Sequence, residues 1–228
     1  MRSPEEQRFP ILADIADVPV PRERSIHRIY IHCSDSHYGD AEEIDKWHRE
    51  RGWKGIGYNY VILGEAEIGT GYQPGFIQIG RDVEKTPAHV ASDNTHSLGI
   101  CIIGKFDTKS PLGNGIDSPG IMTQIQSALI LCAELILRLN LPVRQVIGHR
   151  EVNLIPGREM TSKSCPGSKF DMDEFRHLLY ETIKFNYTKG HSTYRLMIER
   201  SLRHNADNRR YKYVCGRDVV KGILDSME

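Results

Sequence analysis

Short apolar runs, many of them β-branched or aromatic, recur between residues 26 and 106 and predict β-strands. Gly, Pro, Asn, Asp or Ser bound most of these runs, which is typical of strands that end in turns. The last run is apolar on both faces, which favours a partly buried sheet. The Gly-rich segment 65–74 joins two of the runs as a turn. The predicted strands are HRIYIHCS at 27–34, GYNYVILG at 57–64, GFIQIGRD at 75–82 and HSLGICIIGKF at 96–106.

Three other segments repeat apolar residues every three or four positions, which is the spacing of an amphipathic helix. The longest of them begins with Ser-Pro and ends at Asn140, and both are ordinary helix boundary signals. The last one carries acidic residues in its first turns, where they interact favourably with the helix dipole. A short apolar run at 143–149 predicts a strand that ends at His149. The predicted helices span residues 41–53, 118–142 and 168–185.

This order of strands and helices predicts one α/β domain, with a mixed sheet and helices on both faces. A chain of 228 residues suits one such core with extensions, and we place the domain at 26–185. Residues 1–25 are rich in Pro and charge, which predicts an arm that packs on the surface or stays mobile. Residues 186–228 contain nine Lys or Arg against five Asp or Glu. They are either an added subdomain or a basic, aromatic element that contacts a polyanion.

Composition narrows the classes of function. Thirty basic residues balance thirty acidic ones, so no overall field attracts nucleic acid, and we expect none to bind. The first residues lack the apolar run of a signal peptide and no apolar stretch reaches 18 residues, so we expect cytoplasmic synthesis and no membrane span. The cysteines are scattered without a disulfide-like framework, which favours reduced thiols. They are Cys33, Cys101, Cys132, Cys165 and Cys215.

The segment IGHREVNLIPGREMTSKSCPG at 147–167 sets His149 and Cys165 sixteen positions apart across a loop. A structural zinc finger needs close ligand pairs such as C-x2-4-C, which this segment lacks. The two side chains suit an open catalytic metal site instead, provided that a third ligand comes from elsewhere. His32 is the best third ligand, because it ends a predicted inner strand. Successive strand residues point to opposite faces, so Cys33 should point into the core.

Six motifs occur in one order along residues 26–180, namely IHCS, WHRERGWKGIGYNYVI, GRD, AHVASDNTHSLGICIIGKF, GHREV and KSCPG. Together they are far more specific than any one alone. With them the chain resembles the zinc-dependent N-acetylmuramoyl-L-alanine amidases of type 2. That family includes the phage amidases called lysozymes and the peptidoglycan recognition proteins of animals.

The resemblance implies one zinc ion per chain, with ligands that fall by position on His32, His149 and Cys165. It implies that the ion activates a water molecule, which hydrolyses the amide bond between N-acetylmuramic acid and L-alanine. The family's donors to the developing oxyanion fall on Tyr58 and Lys163.

The motif AHVASDNTHS matches a wall of the family's substrate cleft. There the resemblance implies that His89 and Asn94 contact the muropeptide without binding metal. Two segments are longer than in compact phage members, namely the turn 65–75 and the loop 153–162. We expect the loop to project outward and the turn to influence substrate choice.

Recycling amidases typically carry an acid in place of Tyr58 and Asp in place of Cys165, so these residues favour the phage-like branch. We therefore predict an endolysin, monomeric, that acts on peptidoglycan after release through a holin-type route. The alternatives are a bacterial recycling or remodelling amidase and a peptidoglycan-binding module without catalysis. Cys165 argues against the binding module. A regulatory role through contact with another protein has no supporting feature.

Overall fold

A five-stranded mixed sheet forms the centre of the computed structural model, which describes residues 9–64, 74–107 and 119–189. The strand order is β3-β2-β4-β1-β5. Strand β1 lies between β4 and β5 and is parallel to both, β2 is parallel to β4, and β3 is antiparallel to β2. The strands are β1 Arg28–Cys33, β2 Tyr60–Ile62, β3 Ile77–Ile79, β4 Ser97–Ile102 and β5 Val146–Gly148.

Three α-helices cover the sheet, with α1 on one face and α2 and α3 on the other. This confirms the predicted α/β class. Helix α1 is shorter than the predicted segment, and α3 continues past residue 185. Helix α2 ends where predicted, because Asn140 adopts a left-handed φ of 53° that stops the helix. The helices are α1 Ala41–Glu50, α2 Pro119–Leu139 and α3 Met172–Lys189, with short 3-10 helices at Ile15–Asp17, Asn94–His96, Val143–Gln145 and His149–Leu154.

Strand alternation divides the sheet between its two faces. Ile29 and Ile31 of β1 pack in the main core with α2 and α3. Tyr30 and His32, the alternate residues, lie on the opposite face, and both are buried. On that face the apolar layer beneath α1 includes Cys101 of β4, which pairs in register with His32. One face of the sheet is therefore a closed apolar core, while the other carries a buried histidine near the end of a central strand.

The N-terminal arm packs on the domain from residue 9 onward. Phe9 is buried in the apolar layer beneath α1, and Val18 is only 1% exposed in the main core. The N–H of Leu12 donates to the carbonyl of Ile77 at 2.8 Å, so the arm pairs with the outer edge of β3. Such pairing covers backbone groups that an edge strand would otherwise expose. The predicted boundary at residue 26 thus falls inside a packed region.

Two parts named in the sequence predictions lie outside the described residues. These are most of the long turn 65–75 and nearly all of the C-terminal extension, from residue 190 onward. In the ranges that the structure does describe, every helix is too short or too polar to cross a membrane.

A buried carboxyl group in α2 lies close to the arm. Glu134 is 3% exposed. Its carboxylate lies 3.7 Å from the guanidinium of Arg138, which also donates to the carbonyl of Val18 at 2.6 Å. Burial raises the pKa of Glu134 to about 7, and Arg138 offsets part of this rise. The ionised form of Glu134 is thus disfavoured in the folded state.

We predict that Glu134→Gln changes how the free energy of unfolding depends on pH. The folded-state pKa of Glu134 is raised, so its contribution to stability is complete below the unfolded pKa and is lost as pH rises through about 7. Relative to the variant, the wild type should lose on the order of 2 to 3 kcal/mol between about pH 4.5 and pH 7.5. Urea unfolding of both proteins across this range measures the difference. If the free energies of unfolding of the two proteins differed by the same amount at every pH, the prediction would be contradicted.

Candidate metal centre

The three side chains expected to bind metal meet at the carboxyl ends of β1 and β5. One possible ligand atom from each of His32, His149 and Cys165 lies within 4.8 Å of the other two. The sulfur of Cys165 is 3.5 Å from Nδ1 of His32, and the ring centroids of His32 and His149 are 4.8 Å apart. No other cluster of three or more His, Cys, Asp or Glu side chains in residues 9–64, 74–107 and 119–189 is arranged this closely.

Strand register places the two histidines side by side. In the parallel pairing of β1 with β5, Ile31 lies opposite Gly148, and the next residues are His32 and His149. His149 begins a 3-10 helix. Glu151 in that helix accepts the N–H of Gly148 at 2.7 Å.

Arg150, the residue after His149, holds the loop that carries Cys165. Its N–H donates to the carbonyl of Cys165 at 2.8 Å. Its guanidinium donates to the carbonyls of Gly167 and Phe170, both at 2.6 Å. With a further hydrogen bond from the guanidinium to the carbonyl of Ser164 at 3.3 Å, four hydrogen bonds from one residue fix the cysteine loop relative to the neighbouring ligand.

The segment after β4 holds the same loop from another direction. The carboxylate of Asp107 accepts the N–H of Ser168 at 2.7 Å and the hydroxyl of Ser164 at 3.2 Å. Gly167 has φ +123°, and a Cβ there would lie 2.5 Å from the backbone of Phe106. Only glycine allows both this conformation and this approach.

Cys33 corrects one sequence expectation. Its side chain packs against the main core, as strand alternation predicts, but it is only partly buried. Its thiol also hydrogen-bonds the thiol of Cys165, and its backbone N–H lies 3.4 Å from that sulfur. The thiol is therefore not turned away from the site. The reason is that Cys33 ends its strand, where the cysteine loop passes over the sheet.

The donors fit a zinc ion. Burial, followed by the neighbouring His89 and His149, holds the pKa of His32 well below its usual value. Burial and the charge of Lys163 lower the pKa of His149 to about 4. Both imidazoles are therefore neutral, which is the form that binds metal. The hydrogen bond with Cys33 and burial raise the pKa of Cys165, so its thiolate needs a cation beside it. Two imidazoles and one thiolate are ligands that zinc accepts and magnesium or calcium does not.

Tyr58 borders the site just before β2. Its ring centroid lies 4.9 Å from that of His32 and 5.4 Å from that of His48. Burial raises the pKa of Tyr58 well above its usual value, so the phenol keeps its proton. His48 is buried and accepts the N–H of Gly57 at 2.9 Å, as expected of a structural residue. Helix α1 thus supports the segment that carries Tyr58, a role that sequence patterns did not reveal.

Lys163 lies on the exposed surface of the cysteine loop. Its charge acts on both histidine ligands, since it lowers the pKa of His32 and of His149. Its backbone N–H donates to Oγ1 of Thr161 at 3.2 Å. Lys163 is therefore exposed, while its charge reaches the two histidine ligands.

The long loop 153–162 is folded against the domain. The side chain of Asn153 exchanges two hydrogen bonds with the backbone of Thr161, at 2.7 and 2.8 Å. The guanidinium of Arg158 forms an ion pair with the buried carboxylate of Asp93 at 2.8 Å. This ion pair with a buried carboxylate therefore anchors the loop to the domain. Two of its apolar side chains nevertheless face solvent, Leu154 at 78% and Met160 at 76% exposure.

His89 and Asn94, expected to contact substrate, both form hydrogen bonds within the protein. His89 is 8% exposed, and its Nδ1 lies 3.0 Å from Nε2 of His32. Its other ring nitrogen lies 3.4 Å from Oγ of Ser97. The amide oxygen of Asn94 accepts the N–H groups of His89 and Val90, both at 2.9 Å. These contacts occupy both ring nitrogens of His89 and the amide oxygen of Asn94.

Comparison with known proteins agrees with this geometry. The family model for N-acetylmuramoyl-L-alanine amidases matches residues 22–168. The endolysin of Klebsiella phage KP32 is 29% identical over 120 residues, which are 51% of this chain and 72% of that protein. The endolysin of Enterobacteria phage K11 is 26% identical over 165 residues, 71% and 92% of the two chains. The solved amidase LysC from Clostridium intestinale URNW has the same fold, with a TM-score of 0.53 at 23% identity and coverage of 71% and 90%.

The fold and the site define an α/β enzyme domain with an open His-His-Cys site suited to one metal ion. The chain belongs to the N-acetylmuramoyl-L-alanine amidase family, because the family match covers most of its length and contains all three candidate ligands. It is thus a peptidoglycan amidase related to phage endolysins. This confirms the family and the enzyme class that the sequence motifs predicted.

We predict that Cys165→Ser loses bound zinc, whereas Cys33→Ala retains it. A serine hydroxyl replaces neither the charge nor the softness of the thiolate. In Cys33→Ala, the backbone N–H that faces the Cys165 sulfur remains. Metal analysis after dialysis against buffer with trace zinc gives the stoichiometry of each variant. Full zinc in Cys165→Ser would refute the ligand assignment, and loss from a folded Cys33→Ala would make the second thiol essential to the site.

Proposed function

We propose that the chain is an endolysin that hydrolyses the amide bond between N-acetylmuramic acid and L-alanine in peptidoglycan, using one zinc ion. The observation that carries the proposal is the gathering of His32, His149 and Cys165 at one edge of the sheet. The amidase domain comprises residues 26–185, with the arm packed on it. The route from the cytoplasm to the wall, a holin-type pore, is part of the proposal, and so is the monomeric state.

When bound, zinc would act as a Lewis acid on the scissile carbonyl and lower the pKa of a water molecule. The chain's own residues set the charge of this site. His32 and His149 are neutral donors and Cys165 contributes one negative charge. The three ligands would therefore neutralise half of the charge of a divalent ion, and the other half would act on the substrate. Burial of both histidines keeps them in the neutral form that this balance requires.

Tyr58 and Lys163 are the proposed donors to the oxyanion that forms when the amide carbonyl is attacked. Tyr58 suits this role, because burial preserves its O–H and its ring packs against that of His32. Lys163 suits it, because its positive charge reaches both histidine ligands from an exposed position that substrate can approach. Hydrogen-bond donors aimed at the position of a developing charge stabilise it, and these two would reach it from separate segments.

The relatives named as phage endolysins support the lytic role over that of a recycling amidase. The recycling alternative differs in substrate, since a recycling enzyme acts on soluble fragments and an endolysin on the intact wall. The binding-module alternative predicts attachment to the wall without release of peptides. The complete ligand group argues against it.

Purified sacculi distinguish these functions. Amide cleavage releases stem peptides with a new N-terminal alanine and creates no reducing sugar end. We expect this product from intact sacculi, its loss with a chelator, and its recovery when zinc is restored. New reducing ends without N-terminal alanine would indicate a glycosidase. Binding without release would indicate a recognition module, and activity confined to soluble fragments would indicate a recycling enzyme.

We predict that Tyr58→Phe and Lys163→Ala retain stoichiometric zinc but turn over sacculi more slowly. Removing one preorganised donor typically costs about 100- to 1000-fold in turnover, or roughly 2.7 to 4 kcal/mol. If both donors act on one oxyanion as a unit, the double variant should be little slower than the slower single variant. Initial rates and zinc content, measured on the same preparations, test this.

Lys169→Ala is the matched control, because Lys169 is another exposed lysine on the same loop. It should keep wild-type turnover. Wild-type turnover in Tyr58→Phe or Lys163→Ala, with zinc bound, would show that the donor is misplaced. Loss of zinc from either variant would make that residue structural.

A further inference from the structure

We propose that His89 is a positioning residue, which fixes the tautomer and ring orientation of His32 through a hydrogen-bond chain that ends on the main chain. This inference rests on the proposed zinc site and assigns His89 a role within the protein instead of contact with muropeptide. The hydrogen-bond chain runs from His32 to His89, then to Ser97, and ends at the carbonyl of Asp93.

The hydrogen bond at the Asp93 end determines which atom donates in each of the other hydrogen bonds. The hydroxyl of Ser97 donates to the carbonyl of Asp93 at 2.7 Å, and a carbonyl can only accept. The single proton of Ser97 is therefore used. Toward Nε2 of His89, 3.4 Å away, the oxygen of Ser97 can act only as an acceptor. It follows that Nε2 of His89 carries a proton.

That proton determines the next link. His89 is buried, and neither hydrogen-bond partner of its ring is a carboxylate, so the neutral form is favoured. A neutral imidazole with its proton on Nε2 has a lone pair on Nδ1. This Nδ1 lies 3.0 Å from Nε2 of His32, which must then be the donor.

His32 is left with its lone pair on Nδ1, the nitrogen that faces the sulfur of Cys165 at 3.5 Å. The hydrogen-bond chain therefore directs the unprotonated nitrogen of His32 toward the position of the metal ion between the three ligands. With the opposite tautomer, Nδ1 would carry a hydrogen and could not bind a metal ion. Metal-binding histidines generally require such a partner on their second nitrogen to fix the ring.

The surroundings hold His89 in place. A Cβ at Gly99 would lie 2.8 Å from Cδ2 of His89, so glycine there leaves the room that the ring occupies. Asn94 accepts the backbone N–H of His89, and the ring of Tyr30 lies 5.7 Å from its ring. Both ring nitrogens of His89 are thus committed inside the protein.

The test compares His89→Leu, which removes the acceptor for His32, with His89→Asn, whose amide oxygen can take the place of Nδ1. We expect His89→Leu to bind zinc about 10- to 100-fold more weakly, which is typical when such a partner is lost. His89→Asn should recover most of the affinity. Competition with a chromophoric chelator measures the zinc dissociation constant, and cobalt substitution reports the ligand field by visible absorption.

A second measurement needs neither activity nor metal. Nitrogen-15 NMR of the metal-free wild type should show His32 with its proton on Nε2. In Ser97→Ala this preference should weaken, since nothing then fixes the proton of His89. These readouts also decide the matter if His89→Leu does not fold.

Three results would overturn the proposal. They are an Nδ1-protonated His32 in the wild type, unchanged zinc affinity in a folded His89→Leu, and equal losses in His89→Leu and His89→Asn. A raised KM for muropeptide at unchanged zinc affinity would restore the substrate-contact role. Wild-type hydrolysis of sacculi is measured separately, so failure of this inference is distinguishable from failure of the proposed function.

Discussion

The site depends on the parallel register of β1 between β4 and β5. Ile31 lies opposite Gly148, so the two strands end together and release His32 and His149 at the same edge. A slip of one residue would turn His32 to the opposite face of the sheet, because side chains alternate along a strand. The third ligand then depends on the second, since Arg150 holds the loop of Cys165 through four backbone carbonyls. Register places two ligands, and the residue after one of them places the third.

A second set of contacts connects the site to the rest of the domain through Asp93. Its buried carboxylate accepts a hydrogen bond from Tyr30 at 2.9 Å and pairs with Arg28 at 3.0 Å and Arg158 at 2.8 Å. Removing one partner of a buried ion pair destabilises the fold, because the remaining charge is left in a medium of low dielectric constant. The same residue supplies the carbonyl that ends the hydrogen-bond chain from His32. One acidic residue therefore joins β1, the long loop and the 89–97 segment.

Local patterns in the sequence were sufficient to predict the strands, the helices and the positions of His32 and His149 at strand ends. The reason is that strand ends and helix caps are encoded in adjacent residues. The order of the motifs was sufficient to predict Cys165 as the remaining ligand. Contacts between distant segments were not predictable in this way. The backbone N–H of Cys33 contacts the sulfur of Cys165 although 132 positions separate these residues, and the arm pairs with β3 although its sequence has no strand pattern. The inward direction of His89 also depends on space left by Gly99, which no local pattern reveals.

The positions of the ligands along the chain have a consequence for folding. His32 and Cys165 are 133 residues apart, so an ion bound to both would close a loop that contains most of the domain. The unfolded chain does not hold these ligands together, so the free energy of binding the ion would add to the stability of the folded domain. The catalytic ion would then also act as a reversible cross-link between the first strand and the last loop. Zinc availability would in this way set the resistance of the enzyme to unfolding as well as its activity.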